Sequence, residues 1–206
     1  LKWDIVKKEK GYKFNQKMKK NFDKRIFSPG LFFNDTGFLL SRIPEIISAL
    51  RNKQISKAFV EKIMTVKTAV NGCTYCTWFH AKQALASGIS EEEVKNMLNL
   101  QFQADASDFE TLALLYAQHF AETDRQPEED MTQKFKEFYG EKTAGHIYLF
   151  IRLINFGNLY GNTWDAVLSR LKGNPAEKSP VLFEFFFSLL SFWFMVPIMA
   201  WSKEKS

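Results

Sequence analysis

The stretch Asn71-Gly72-Cys73-Thr74-Tyr75-Cys76-Thr77-Trp78-Phe79-His80 organises the reading of this chain. Asn-Gly is a stop-and-turn signal. The spacing predicts a helix that opens at Cys73 and ends at Gly88, the usual residue just past a helix C-terminus. On that helix Cys73 and Cys76 stand one turn apart and His80 one turn beyond Cys76, so all three share a face. In a first turn, free backbone N–H groups and the helix dipole favour a thiolate and lower the thiol pKa. An imidazole can take or relay a proton near neutral pH. Two thiols at this spacing can also close into a disulfide. These are the parts needed for a thiolate to attack, be oxidised and be resolved by its neighbour. The residues alone do not say which sulfur attacks.

Working outward, the chain reads as helices throughout. Ser28-Pro29-Gly30 breaks the chain, and a helix is predicted from about Gly37 to Leu50, with Pro44 interrupting or restarting it. Another runs from Ser56 to Val70. Ser90 with Glu93 and Ser107 with Glu110 fit the S-x-x-E capping box and start helices over 90–101 and 107–121. Pro127, followed by acids, opens a helix that reaches Tyr139 and stops at Gly140. Further helices are predicted over 142–160 and 163–171. No strand-type alternation, hairpin signal or repeat is present. The expected fold is all-α, a helical bundle over residues 28–174.

Two appendages flank it. Residues 1–27 form a basic arm in which Phe14, Met18, Phe22 and Ile26 recur at the spacing of one helical face. Within 1–25, ten Lys and Arg stand against three acids, a net +7, so the rest of a chain of net +5 carries −2. Such an arm either packs its apolar face on the body or lies on an anionic membrane surface; no nucleic-acid partner is expected. Residues 175–206 are a linker and an apolar tail. Val181 to Trp201 contains one charge, Glu184, and is long enough, at roughly 1.5 Å per residue, to cross a bilayer. Trp201, Lys203 and Lys205 suit an interfacial anchor. The tail is therefore a candidate membrane anchor or a helix buried between subunits, on a protein otherwise expected in the cytoplasm.

Several chemistries can be weighed for the Cys-His face. A c-type haem would need His directly after the second Cys, where Thr77 stands. A structural zinc site needs four ligands; three are in sight, and His119 or His146 would have to supply the fourth. Those two histidines otherwise read as structural or surface residues, and Trp78 and Phe79 as core. Two cysteines so close together do not form a secreted disulfide scaffold. No flavin or nicotinamide motif is present, so no cofactor is expected.

The run Glu61 to Cys76, followed by His80 and Gly88-Ile89-Ser90, resembles the carboxymuconolactone decarboxylase-like superfamily, specifically its alkylhydroperoxidase D-like branch. The family pattern is a Glu on one helix, an Asn-Gly-type turn, CxxC opening the next helix, and His four residues after the second Cys; here Glu61 stands twelve residues before Cys73. The similarity covers about residues 37–100, with a looser likeness around Asn155-Phe156. It implies an alkylhydroperoxidase D-like helical fold, assembly into trimers or multiples of them, and peroxide or disulfide chemistry. It also implies that Cys76 is the attacking thiol, Cys73 the resolving thiol, and Glu61 a proton acceptor working with His80 in a relay. One position departs from the pattern: well-studied hydroperoxidases carry a second His between the cysteines, and this chain has Tyr75, a phenol with an ordinary pKa of about 10.

The expectation drawn from this is a thiol-dependent peroxidase or disulfide oxidoreductase acting on hydroperoxides, needing an external thiol or dithiol reductant. The alternatives are a non-enzymatic redox sensor or interaction module at a membrane, and a metal-binding module.

Overall fold

The computed structural model describes residues 22–102, 108–177 and 179–204. Among these residues there are eight helices and no strand: α1 Pro29–Ser41, α2 Ile43–Leu50, α3 Lys57–Asn71, α4 Thr74–Ala86, α5 Glu91–Leu98, α6 Phe109–Glu122, α7 Glu129–Leu171 and α8 Val181–Glu204. The expected all-α bundle is the fold observed. α3 is its centre and packs against α4, α5, α6 and α7. The main core lies around it: Phe59, Ile63 and Val66 of α3 meet Ala113, Ala117 and Phe120 of α6 and Ile147, Phe150 and Ile151 of α7. Fully burying side chains of this size is worth roughly 1.5–3 kcal/mol each.

Local chemistry sets most of the helix ends. Ser56 caps α3 by accepting the Phe59 N–H at 3.0 Å, and Gly72, in the left-handed conformation at φ 67°, ends it. Ser90 caps α5 in the same way. The reciprocal half of its capping box is diverted, because the Glu93 carboxylate pairs with Lys62 at 2.5 Å.

Four expectations need correction. The first helix begins at Pro29, eight residues earlier than expected: Ser28 is its N-cap and Pro29 its first residue, where a missing N–H costs nothing. The capping box on Ser107 lies outside the described residues, and Asp108 caps α6 by accepting the Glu110 and Thr111 N–H groups. The two helices expected over 142–160 and 163–171 are one. α7 bends at Gly140 (φ 73°, ψ 154°) and then runs without interruption through Gly161. Finally, residues 22–28 are not helical, so Phe22 and Ile26 do not continue a helical face; residues 1–21 lie outside the described residues.

This N-terminal segment is nonetheless fastened to the body. Phe27 is fully buried in a second core, with its ring 5.3 Å from Phe32 and 5.1 Å from Phe156. Lys24 pairs with Asp165 of α7 at 2.6 Å, and Arg25 donates to the carbonyl of Ala121 at the end of α6. α8 joins the same core from the other side through Phe187 and Met195.

Charge is also buried in the bundle. Asp35 of α1 accepts from Arg125 at 3.0 Å and Arg152 at 2.9 Å, which ties α1 to α7. Nearby, Lys67 of α3 is completely buried. Its Nζ lies 4.7 Å from the centre of the Phe120 ring and has no hydrogen-bond partner among the described residues. Burial, reinforced by the positive charges of Arg25, Arg125 and Arg152 and only partly offset by Asp124, lowers its pKa to about 7. The folded protein therefore binds fewer protons here than the unfolded chain between pH 7 and the ordinary lysine value. The resulting destabilisation is fully present below about pH 7 and fades as the pH rises toward that value. Lys67→Met is expected to be more stable than the parent at pH 6, by on the order of a few kcal/mol. It should also lack the parent's gain in stability on raising the pH from 7 toward 10. Denaturant unfolding of both proteins across that range checks this.

Candidate active site

The turn between α3 and α4 places the cysteines. Because Gly72 reverses the chain with positive φ, Cys73 becomes the N-cap of α4 and not its first helical residue. Cys73 Sγ accepts the N–H of Cys76 at 3.3 Å, the position a serine or aspartate oxygen would take in an ordinary cap. The two sulfurs are joined as a disulfide, with the Cα atoms 5.3 Å apart. Cys73 is fully buried, whereas Cys76 is half-buried.

His80 follows one turn after Cys76. Its Nδ1 lies 2.8 Å from Glu61 Oε2, and both side chains are largely enclosed. Glu61 is therefore one half of a carboxylate–imidazole pair bridging α3 and α4. This pairing orients the ring and leaves Nε2 as the nitrogen able to exchange a proton with a reacting group. The structure thus brings together all four residues singled out in the sequence: Cys73 and Cys76 at the head of α4, His80 one turn on, and Glu61 against it.

Other expectations about the neighbourhood change. Phe79 is exposed and not part of the core; its ring meets that of His80 edge to face at 5.1 Å. His119 pairs with Glu128, and His146 lies 3.0 Å from the Asn52 amide. Both are committed away from the cysteines, and among the described residues no group of three or more His, Cys, Asp or Glu is arranged to hold a metal.

Tyr75 has a structural part. Its hydroxyl donates to Asp165 Oδ1 at 2.9 Å, while Asp165 Oδ2 holds Lys24, which also donates to Thr74 Oγ1 at 3.3 Å. Burial, together with the Asp165 charge, pushes the phenol pKa up from its already high ordinary value. The residue between the cysteines is a fixed hydrogen-bond donor that clasps α4 to α7, and it stays protonated.

The main residues missed in the sequence lie on α7. Asn158 Nδ2 donates to Thr68 Oγ1 at 3.0 Å, Asn71 Nδ2 donates to Asn158 Oδ1 at 3.0 Å, and Asn162 Nδ2 donates to the Asn71 carbonyl at 2.9 Å. This buried ladder fixes the end of α3, and with it the Gly72 turn. Beside it, Gly161 lets α7 pass against the disulfide: a Cβ there would stand 2.7 Å from Cys73 Sγ and 3.3 Å from the Tyr75 ring. Three Asn at helical spacing (155, 158, 162), interleaved with Gly157 and Gly161, form a polar stripe on a core helix and were the available signal.

Residues 45–119 match the model of the carboxymuconolactone decarboxylase family. No curated protein and no solved structure matches the chain. The matched segment contains α3 and α4 with the turn between them, and hence Glu61, both cysteines and His80.

The close approach at Gly161 predicts that Gly161→Ala forces the disulfide turn and α7 apart. Overpacking of this kind costs about 1–3 kcal/mol. The cost should appear as a lower melting temperature, and after reduction thiol trapping should show Cys73, fully buried in the disulfide form, reacting faster with an alkylating agent than in the parent. Over residues 45–119 this chain is similar to the carboxymuconolactone decarboxylase family, and its Cys73–Cys76 pair is consistent with the alkylhydroperoxidase D-like branch.

Proposed function

We propose that the protein is a thiol-dependent peroxidase or disulfide oxidoreductase that reduces hydroperoxides by cycling Cys73 and Cys76 between dithiol and disulfide. The observation that carries the reading is a bonded sulfur pair at the head of α4, one turn from an imidazole held by a buried carboxylate. The unequal exposure of the sulfurs supports Cys76 as the attacking thiol and Cys73 as the resolving one.

In the oxidising half, the Cys76 thiolate attacks the distal peroxide oxygen. The O–O bond breaks, the alcohol leaves with a proton supplied through His80, and Cys76 becomes a sulfenic acid. The Cys73 thiolate then attacks that sulfur, forming the disulfide and expelling hydroxide, which takes a second proton through His80 and leaves as water. In the reducing half, an external thiol or dithiol returns two electrons and the protons. Glu61, holding His80 Nδ1, orients the ring and stabilises it while it is charged.

The same proposal includes a homotrimer or a multiple of it. The exposed Phe33, Leu40, Ile43, Ile47 and Leu50 on α1 and α2 support self-association. It also includes a cytoplasmic location with attachment to a membrane through α8, a helix long and apolar enough to cross one.

The test is peroxide consumption by the pre-reduced protein, with the disulfide quantified at each time point. The expected result is one disulfide formed per hydroperoxide reduced, abolished in Cys76→Ser and slowed about 10²–10⁴-fold in His80→Gln or Glu61→Gln. Reversible oxidation of the pair without peroxide turnover would instead favour a redox sensor, a reading that the immobilised, protonated Tyr75 supports.

A further inference from the structure

α8 has two unlike sides. Glu184, Phe187, Ser191 and Met195 face inward and are buried; Glu184 is closed by Arg170 of α7, and the Phe187 ring lies 4.7 Å from that of Tyr160. Leu182, Phe185, Phe186, Leu189, Leu190 and Trp193 recur at helical spacing on the opposite side, and each is more than half exposed. No polar group interrupts that row. Water does not leave such a surface uncovered without cost.

The root of the N-terminal segment lies in the same place. Phe27 and Phe32 stack into the aromatic cluster that receives Phe187, and Lys24 is tied to Asp165. The sequence before residue 22 holds eight Lys against two acids, and the segment that follows it packs Phe27 into the core that α8 joins. Two copies of so basic a sequence repel one another. An anionic surface neutralises them.

A spanning orientation does not suit this packing. α8 packs on α7 and pairs Glu184 with Arg170, so crossing a bilayer would carry the part of α7 packed on it into hydrocarbon. Lying in the plane of the interface buries only the outward row and leaves the inward contacts intact.

We propose that the outward row of α8 and the lysines of residues 1–21 together dock the protein flat on a lipid surface bearing anionic headgroups. This rests on the reading of α8 as the membrane attachment, and specifies its geometry and lipid class. Binding therefore has two separable parts: apolar insertion, and a salt-sensitive electrostatic attraction.

Flotation of the full chain with vesicles of phosphatidylcholine alone, or mixed with phosphatidylserine, tests the proposal. The expected result is binding to the mixed vesicles about tenfold or more tighter than to phosphatidylcholine, weakening as salt is raised. The double variant Leu189→Glu/Trp193→Glu alters only exposed side chains. It should keep its helicity and melting temperature and lose the binding. Protein recovered in a membrane fraction should be released by an alkaline wash. Retention after that wash would overturn flat docking while leaving membrane attachment standing. Equal binding to both vesicles would overturn the lipid class. Failure to bind either vesicle would overturn attachment altogether; conversion of a stable oligomer to monomers by the double variant would then assign the row to a subunit interface. Turnover of a small water-soluble hydroperoxide, measured on the same double variant, keeps the dithiol chemistry separate, because none of the altered residues touches Cys73, Cys76, His80 or Glu61.

Discussion

The position of one turn governs the chemistry of this protein. Gly72 takes a left-handed conformation that costs L-residues with a Cβ, and so ends α3 and presents Cys73 as the cap of α4. A turn alone would leave the sulfurs free to shift. Here α7 fixes it through the Thr68, Asn158, Asn71 and Asn162 ladder, in which each bond is buried and shielded from competition with water. Helix α3 thus does two jobs along its length. Its N-terminal half supplies Glu61 to hold His80, and its last turn, locked by α7, sets the position of Cys73. Both halves of the site are referred to one rigid element.

The bundle treats its buried charges in two ways. Near the sulfurs and at the α1–α7 contact, each charge has a partner of opposite sign or a matched hydrogen bond: Glu61 with His80, Asp35 with two arginines, Asp165 with Lys24 and Tyr75. Lys67 has an aromatic face in place of a hydrogen-bond partner, and the nearby cations Arg25, Arg125 and Arg152 outweigh Asp124. Paired groups hold geometry at modest net cost, whereas an unpaired one is held in place by the packing around it. Among the described residues Lys67 Nζ makes no hydrogen bond, so none links it to the sulfur pair.

The features readable from sequence are those that depend on local spacing. The helical class, the turn at Asn71-Gly72, the shared face of Cys73, Cys76 and His80, and the cap at Ser90 all follow from positions a few residues apart. Glu61 came from a pattern spanning two helices, and the structure puts it in contact with His80. What was not legible depends on partners distant in the chain. Gly161 and Asn162 look like a helix break, yet one makes room for a sulfur 88 residues earlier in the sequence and the other bonds the Asn71 carbonyl. Tyr75 looked like a deficient relay until Asp165, ninety residues away, gave it a different task. Pro29 read as punctuation because a proline marks a helix start or a chain break equally well, and only Ser28 Oγ accepting the Leu31 N–H decides between them.

The asymmetry of the disulfide gives thiol exchange a direction. Cys73 has no exposed surface, being enclosed by α7 at Gly161, so an approaching thiolate meets the sulfur of Cys76. Displacement must run in line with the S–S bond, which makes Cys73 the leaving group. That sulfur already accepts the Cys76 N–H at the positive end of α4, where a departing thiolate is stabilised and the exchange is correspondingly faster. Electrons would therefore enter the pair at its outer atom, while the negative charge is received first by the inner one.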